Sequence, residues 1–211
     1  MALADNENII CYKELNEGYT HAENLHLFIK DVLKEGGSDF NKLEAIAVSK
    51  GPGSYTGLRI GVSAAKGLAY ALKIPLISVD TLQIMTNAVV DIKATETFYC
   101  PMLDARRMEV YTVVYDNKLN TIIDVNALIV DENSIGQYKD YSKIYFFGDG
   151  MLKCKEILNK LPNANFIENI FPSSKNMVPI SFQKFKESKY ENVAYFEPYY
   201  LKEFFITSKK I

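Results

Sequence analysis

The residues whose types and spacing could bind a ligand are concentrated in one glycine-rich stretch, SKGPGSYTGLRIG at positions 49–61. It follows a predicted strand and opens a predicted helix, where backbone N–H groups can hold an anion. The possible phosphate contacts are Gly51, Gly53, Ser54, Thr56 and Gly57. The spacing matches neither a phosphate-binding loop ending in G-K-S/T nor a dinucleotide fingerprint. From spacing alone, a tight turn that needs positive φ before a closely packed helix is the favoured explanation.

Outside this loop, residue types that catalyse reactions or bind metals are sparse. His21 and His26 are five residues apart, so a helix would place them on different faces, unlike the paired histidines of an H-E-x-x-H zinc helix. Ser54 has no identifiable base, and no G-x-S-x-G elbow is present. The charged residues at 104–109 are typical of a solvated hairpin turn. We therefore assign no catalytic residue and no metal site.

The first ninety residues alternate between predicted strands and helices, which indicates an α/β layered structure. A capping box of Thr20 and Glu23 begins the first helix, and Asp80 with Gln83 begins the third. The predicted strands cover residues 9–12, 43–48 and 75–79, and the first two helices cover 20–35 and 57–73. The second helix is apolar over more than half its circumference, so it must be covered on more than one side.

The pattern changes after about residue 91. Residues 98–103 and 108–115 predict a β-hairpin, and residues 144–147 predict a strand that leads into a helix ending near Pro162. We place the boundary between two lobes here. The predicted lobes are residues 1–92, with the glycine loop and the first helices, and residues 93–211.

The composition predicts a soluble cytoplasmic protein. The chain has 211 residues, is 48% hydrophobic and carries a formal net charge of −2, so it lacks the basic excess of a protein that binds RNA alone. Its three cysteines are widely spaced, which argues against a disulfide framework and a zinc site. We find no apolar run long enough to span a membrane and no signal-peptide pattern.

Positions 50–61, KGPGSYTGLRIG, closely resemble the KGPGSFTGLRIG signature of the TsaB (YeaZ) family. Three further segments are similar to family motifs: positions 21–25 to H-S-E-x-L, positions 104–111 to D-A-R-x-x-E-V-Y, and positions 198–201 to P-x-Y-L. The signature is long and specific, and the supporting matches run through most of the chain. The chain therefore resembles this family along most of its length.

The resemblance implies an α/β fold of the actin/Hsp70-like ATPase (ribonuclease-H-like) type, in two lobes. It implies a non-catalytic subunit that binds and activates a TsaD-type catalytic subunit, which transfers threonylcarbamoyl to a tRNA adenosine next to the anticodon. A TsaE-type ATPase is expected to join the complex, and tRNA to bind only through the complex. ATP and metal are expected on the partner subunits, with no cofactor on this chain. The H-x-x-x-H metal pair of the catalytic paralogue is reduced here to His21, because Leu25 takes the second position.

In the family, the first two helices pack against the same helices of TsaD or of a second copy, so a homodimer is expected when the chain is alone. This packing would explain the broad apolar surface of the second helix and the position of Leu27 off the apolar stripe of the first. We therefore place six residues at the partner interface: His21, Glu23, Leu27, Arg59, Lys66 and Tyr70.

Family members usually open with a strand of the pattern I-L-x-I-D-T-S, which is central in its sheet. Positions 1–4 are similar to the second strand of the family, so the first strand is expected to be missing from this sequence. Its absence would leave backbone groups unpaired, which is costly where they are buried. Either the sequence is truncated, or its start is misassigned, or another segment fills the gap. Independent nucleotide binding and the stability of the monomer are therefore both in doubt.

The alternative is a stand-alone enzyme of the same fold, a kinase or a peptidase. A kinase needs an acidic residue in the first phosphate loop. A peptidase needs a metal pair, or a nucleophile with its base. The sequence shows none of these, so the subunit role is favoured and enzymatic activity of the chain alone stays open.

Overall fold

The first strands form two separate pairs. The computed structural model describes residues 1–15, 21–91 and 94–202, and of residues 21–23 only the backbone. Strands β1 (Ala2–Asp5) and β2 (Asn8–Tyr12) form an antiparallel hairpin, and β3 (Ile46–Gly51) pairs in parallel with β4 (Leu76–Asp80). Within the described residues no ladder joins β1 to β3. The described strands of the first lobe therefore form two pairs rather than one sheet.

Two long helices pack against each other and against these strands. Helix α1 (His21–Glu35) contacts β1 and β2, and α2 (Tyr55–Leu72) contacts β3 and β4. The buried residues of α2 are Val62, Ala65 and Ala69. The helix ends where Lys73 adopts a left-handed φ of 57° and its N–H bonds to the carbonyls of the last turn. Helix α3 (Thr81–Thr86) follows β4.

The second half contains a five-stranded mixed sheet. Its order is β7-β6-β5-β8-β9, in which β5, β6 and β7 are antiparallel while β8 and β9 continue in parallel with β5. The bounds are β5 (Thr97–Asp104), β6 (Glu109–Asp116), β7 (Thr121–Ile129), β8 (Lys143–Phe147) and β9 (Ala164–Ile167). Helix α4 (Asp149–Leu158) packs on this sheet, and Cys100, Phe146 and Met151 are fully buried between them.

The end of the chain returns to the first lobe. Helix α5 (Ser174–Lys186) packs against β1, β2, β4 and α3. The backbone N–H of Glu191 then bonds to the carbonyl of Leu76 at 2.8 Å. The predicted lobe boundary at residues 92 and 93 lies outside the described residues, and the segment after β9 completes the first lobe although it follows the second in sequence.

Most predicted elements are present with shifted ends. The predicted hairpin corresponds to β5 and β6, the first helix ends at Glu35, and the second begins two residues early at Tyr55. The predicted cap at Thr20 lies outside the described residues. The prediction for Asp80 is wrong in detail, because its side chain makes no capping hydrogen bond to α3. In the described ranges, no helix combines the length and the apolar character that crossing a membrane requires.

Candidate functional site

The glycine loop is a sharp turn between β3 and α2. Gly51 has a φ of +114°, and the peptide bond that follows it, to Pro52, is cis. Ser54 caps α2, since its Oγ accepts a hydrogen bond from the N–H of Gly57 at 3.4 Å. Ser54 and Thr56 are exposed. The loop therefore has the positive-φ turn and the capped helix start that its glycines and hydroxyls predict.

The C-terminal segment, residues 197–202, lies directly on this loop. The N–H of Tyr199 donates to the carbonyl of Lys50 at 2.7 Å, and the ring of Tyr200 lies 4.8 Å from that of Tyr55. A Cβ added to Gly51 would lie 2.7 Å from the carbonyl oxygen of Tyr199. Close approach of the protein's own backbone thus accounts for Gly51 without a bound phosphate.

The cavity beside the loop is small. It measures about 40 Å³ and is lined by loop residues together with Tyr111 and the C-terminal segment. Cavities that bind cofactors are typically about 300–1,000 Å³. The phosphate contacts assigned to Gly51, Gly53, Ser54, Thr56 and Gly57 stay predictions.

Charged groups below the loop tie β3 to β4. Lys50 Nζ lies 3.2 Å from Asp80 Oδ1, so the carboxylate that was expected to cap α3 forms an ion pair instead. Burial, and after it the charge of Asp80, raises the pKa of Tyr115. Burial, and after it the charge of Lys50, lowers the pKa of Lys184, whose Nζ donates to the carbonyl of Ser78 at 2.7 Å. These contacts hold the loop in place rather than leaving charges free for a ligand.

The outer face of α1 and α2 exposes large apolar side chains. Leu27 is 58% exposed on α1, and Tyr70 is 80% exposed on α2. The exposure of Leu27 confirms that it points away from the buried stripe of α1. The two helices contact each other, and we call the exposed side of this pair, which carries Leu27 and Tyr70, the α1–α2 surface.

Lys66 connects this surface to the end of the chain. It lies one turn before Tyr70 on α2, and its Nζ donates to the carbonyls of Ala194 at 3.3 Å and Phe196 at 2.7 Å. The residue between them, Tyr195, is 83% exposed and lies next to Lys66. Sequence reasoning missed Tyr195, because 128 residues separate Lys66 from Ala194 and no periodic pattern links them.

The structure describes the other residues assigned to the interface in less detail. His21 and Glu23 lie in the first turn of α1, but their side chains lie outside the described residues. Arg59 is exposed on α2, with its guanidinium 5.3 Å from the ring centre of Tyr55. The assignment of these residues and of Lys66 to a partner interface stays a prediction.

The carboxylates of the charge cluster at 104–109 are paired with nearby donors. Asp104 accepts hydrogen bonds from Lys153 Nζ and from the N–H of Arg106, and Glu109 pairs with Lys202. Burial alone would raise the pKa of Asp104, but Lys153 and the N–H of Arg106 outweigh it and hold the pKa below its usual value. Among the described residues, no three His, Cys, Asp or Glu side chains cluster as metal ligands.

Comparison with protein families links most of the chain to one group. Residues 18–203 match the family described as "TsaD: tRNA N6-adenosine threonylcarbamoyltransferase". The tRNA threonylcarbamoyladenosine biosynthesis protein TsaB of Escherichia coli K12 is 29% identical over 190 residues, covering 86% of this chain and 80% of that protein. TsaB of Bacillus subtilis 168 is 36% identical over 129 residues, covering 59% and 55%.

Solved structures agree with this result. YeaZ from Pseudomonas aeruginosa superposes with a TM-score of 0.72 at 24% identity, covering 88% of this chain and 87% of that chain. A protein from the same organism, described as similar to peptidase YeaZ, has the same TM-score at 23% identity, with 86% of this chain and 84% of that chain covered. The predicted actin/Hsp70-like α/β fold is confirmed by the family match and these structures.

Proposed function

Because the chain belongs to the TsaB (YeaZ) family, within the larger group that contains TsaD, we propose that it serves in threonylcarbamoyladenosine biosynthesis on tRNA as a non-catalytic subunit. It binds a TsaD-type catalytic subunit through the α1–α2 surface and activates it. ATP and metal belong to the partner subunits, a TsaD-type transferase and a TsaE-type ATPase, and the chain needs no cofactor of its own.

The observation that supports docking is the exposed apolar area on α1, on α2 and on the turn that Lys66 holds against α2. Leu27, Tyr70 and Tyr195 are 58%, 80% and 83% exposed. Tyrosine is enriched at protein interfaces because its ring is apolar and its hydroxyl can stay solvated. Lys66 fixes the turn that carries Tyr195 against α2, so the three side chains are presented by packed elements rather than by a free tail. Such a surface suits a partner with an apolar helical face.

The charge of the chain favours indirect contact with tRNA. Its formal net charge is −2, whereas proteins that bind RNA alone draw most of their affinity from an excess of Lys and Arg around the phosphates. We propose that the partner supplies these contacts. The same surface can pair with a second copy when the partner is absent, which makes homodimerisation and partner binding competitive.

The test is a titration of the chain with TsaD from the same organism by isothermal calorimetry, comparing Leu27→Asp with wild type. Burying the exposed part of Leu27 is worth about 1–2 kcal/mol, and a carboxylate in its place adds the cost of an unpaired charge. We expect Leu27→Asp to weaken binding at least about 100-fold, or about 3 kcal/mol. Adding TsaE, ATP and tRNA should then show the same loss in modification rate.

Leu152→Asp is the matched control. Leu152 is 59% exposed on α4, in the second lobe, so the same change in charge and volume there should leave affinity within about twofold of wild type. Equal affinity of Leu27→Asp and wild type would remove the α1–α2 surface from the interface. Full tRNA modification by TsaD and TsaE without this chain would remove the subunit role.

A further inference from the structure

The turn between β5 and β6 has a strained backbone. Arg106 and Arg107 have φ values of 70° and 48°, and among the described residues they are the only two neighbours in sequence that both have positive φ. A residue with a Cβ is disfavoured in this left-handed region, and two successive positions of this kind are usually occupied by Asn and Gly. Backbone strain of this sort clusters at ligand-binding and switch segments.

Both ends of the turn are fixed by hydrogen bonds and ion pairs. The carboxylate of Asp104 accepts from the N–H of Arg106 at 2.8 Å and pairs with Lys153. Lys153 Nζ also donates to the carbonyl of Glu109 at 2.7 Å, and Lys202 pairs with the carboxylate of Glu109. The carboxylates beside the turn are therefore occupied, and groups other than the arginine side chains hold its backbone.

The two guanidinium groups are exposed at the tip of this fixed turn. In the ranges 21–91 and 94–202, neither takes part in an ion pair, a side-chain hydrogen bond or a ring contact, although Asp104 attracts the charge of Arg106. Each guanidinium has five N–H donors in a rigid fork. Arg106 and Arg107 therefore present two adjacent forks of donors to solvent.

Arginine is rare in this chain. Only three of its 24 basic residues are arginine, and two of them are Arg106 and Arg107. Lysine would supply the same charge, whereas arginine matches a carboxylate or a phosphate with two parallel hydrogen bonds. The choice of arginine at two strained positions therefore indicates recognition of an oxyanion rather than a need for charge alone.

Exposed apolar side chains lie beside the two arginines. Met108 follows them in the turn and is 37% exposed, and Ile129, at the end of β7, is 62% exposed. Ile129 pairs with Glu109, and the N–H of Val130 donates to the carbonyl of Met108 at 2.9 Å. Methionine and arginine are enriched at protein interfaces, whereas sites for RNA combine a wider basic surface with aromatic stacking. The surroundings of the turn therefore favour a protein ligand.

We propose that this turn binds an acidic segment of a partner protein, in which two carboxylates flank an apolar residue. Arg106 and Arg107 each hold one carboxylate through paired N–H···O hydrogen bonds, and Met108 and Ile129 contact the apolar side chain between them. The proposal goes beyond docking to a TsaD-type subunit, because none of these four residues carries the α1–α2 surface.

The probe is the synthetic peptide acetyl-GSDLESG-amide, titrated into the full chain labelled with nitrogen-15. Because the chain has three arginines, it has three arginine Nε–Hε signals, which Arg59→Lys, Arg106→Lys and Arg107→Lys assign. The signals of Arg106 and Arg107 should shift saturably, with a Kd in the millimolar range or below, as expected for a few exposed ion pairs. The signal of Arg59 should stay in place. The peptide acetyl-GSNLQSG-amide, which lacks the carboxylates, should bind at least fivefold more weakly.

Two double variants separate the shape of the side chains from their charge. Arg106→Lys/Arg107→Lys keeps both charges but loses the forks, so we expect at least fivefold weaker peptide binding. Arg106→Asn/Arg107→Gly supplies the pair that this backbone favours, so binding should be lost while the urea midpoint rises by about 0.5 M. Loss of binding through unfolding would lower the midpoint instead. Arg59→Lys and Leu27→Asp should bind the peptide within twofold of wild type, which separates this test from that of the α1–α2 surface.

Four results would overturn the proposal. The first is the absence of saturable shifts for Arg106 and Arg107, and the second is an equal shift of the Arg59 signal, which marks nonspecific attraction. The third is equal affinity of the double lysine variant, which would show that charge alone binds the peptide. The fourth is tighter binding of a uridine tetranucleotide at the same two signals, which would assign the turn to nucleic acid.

Discussion

Replacing Gly51 by alanine tests whether the glycine loop is shaped by the protein's own backbone. The φ of +114° at this position costs a residue with a Cβ about 1–3 kcal/mol. The new Cβ would also lie 2.7 Å from the carbonyl oxygen of Tyr199 and 3.1 Å from Leu58, and such overpacking costs about 1–3 kcal/mol. We expect a loss of about 3 kcal/mol in the free energy of unfolding. With a urea m-value of about 2 kcal/mol/M, the midpoint falls by about 1.5 M.

Gly53→Ala is the control two residues along the same loop. Gly53 does not have positive φ, and an added Cβ would lie 3.9 Å from Leu58, an ordinary contact. Removing a glycine also lowers the entropy of the unfolded chain by about 0.4–1 kcal/mol, so the midpoint should stay the same or rise by about 0.2–0.5 M at that m-value. Equal midpoints for Gly51→Ala and Gly53→Ala would refute the reasoning.

Three further changes probe other contacts. Lys66→Met removes two hydrogen bonds to the C-terminal turn and should lower the free energy of unfolding by about 1–2 kcal/mol. Amide hydrogen exchange in residues 192–202 should then accelerate. Unchanged exchange would show that Lys66 does not hold the turn. At pH 8, iodoacetamide should modify Cys11 in the native protein but Cys100 and Cys154 only in urea. Cys100 and Cys154 are both buried, and burial raises the pKa of Cys100 to about 12. Mass spectrometry of tryptic peptides shows which cysteines are modified under each condition. The pKa of Asp104 is held below its usual value of 3.8, so its ion pair with Lys153 stabilises the fold above pH 3.8 and this stabilisation is lost as the pH falls below 3.8. Asp104→Asn should therefore flatten the dependence of the urea midpoint on pH in this acidic range. Parallel pH curves for the variant and wild type would contradict this.

Features set by local periodicity could be predicted from the sequence. The exposure of Leu27 and the burial of Val32 and Leu33 follow from the 3.6-residue repeat of α1. The hairpin of β5 and β6 follows from two strand-forming runs separated by a polar turn. The broad apolar surface of α2 also follows from its sequence, and part of it, at Gly61, Ala64 and Leu68, lines a cavity of about 610 Å³ in the first lobe.

Features that depend on distant residues could not be predicted. Lys66 was assigned to a partner interface from its place on α2, and its hydrogen bonds to the carbonyls of Ala194 and Phe196, 128 and 130 residues away, could not be predicted from local pattern. Asp80 had the spacing of a cap, but the nearby ammonium of Lys50 attracts its carboxylate more strongly than a helix N–H does. Helix α5 contains Pro179, a residue that usually interrupts a helix, so its pattern did not predict a helix.

The return of the last residues to the first lobe sets an order for biosynthesis. The second sheet is built from residues 97–167 and can fold while the chain is still being made. The first lobe cannot, because α5 and the pairing of Glu191 with Leu76 follow the second sheet in sequence. For much of translation the half-finished lobe presents apolar strands and helices without their cover, which is when chaperones bind. Tyr195, carried by the same returning segment, reaches its place beside Lys66 only after the second lobe has been made.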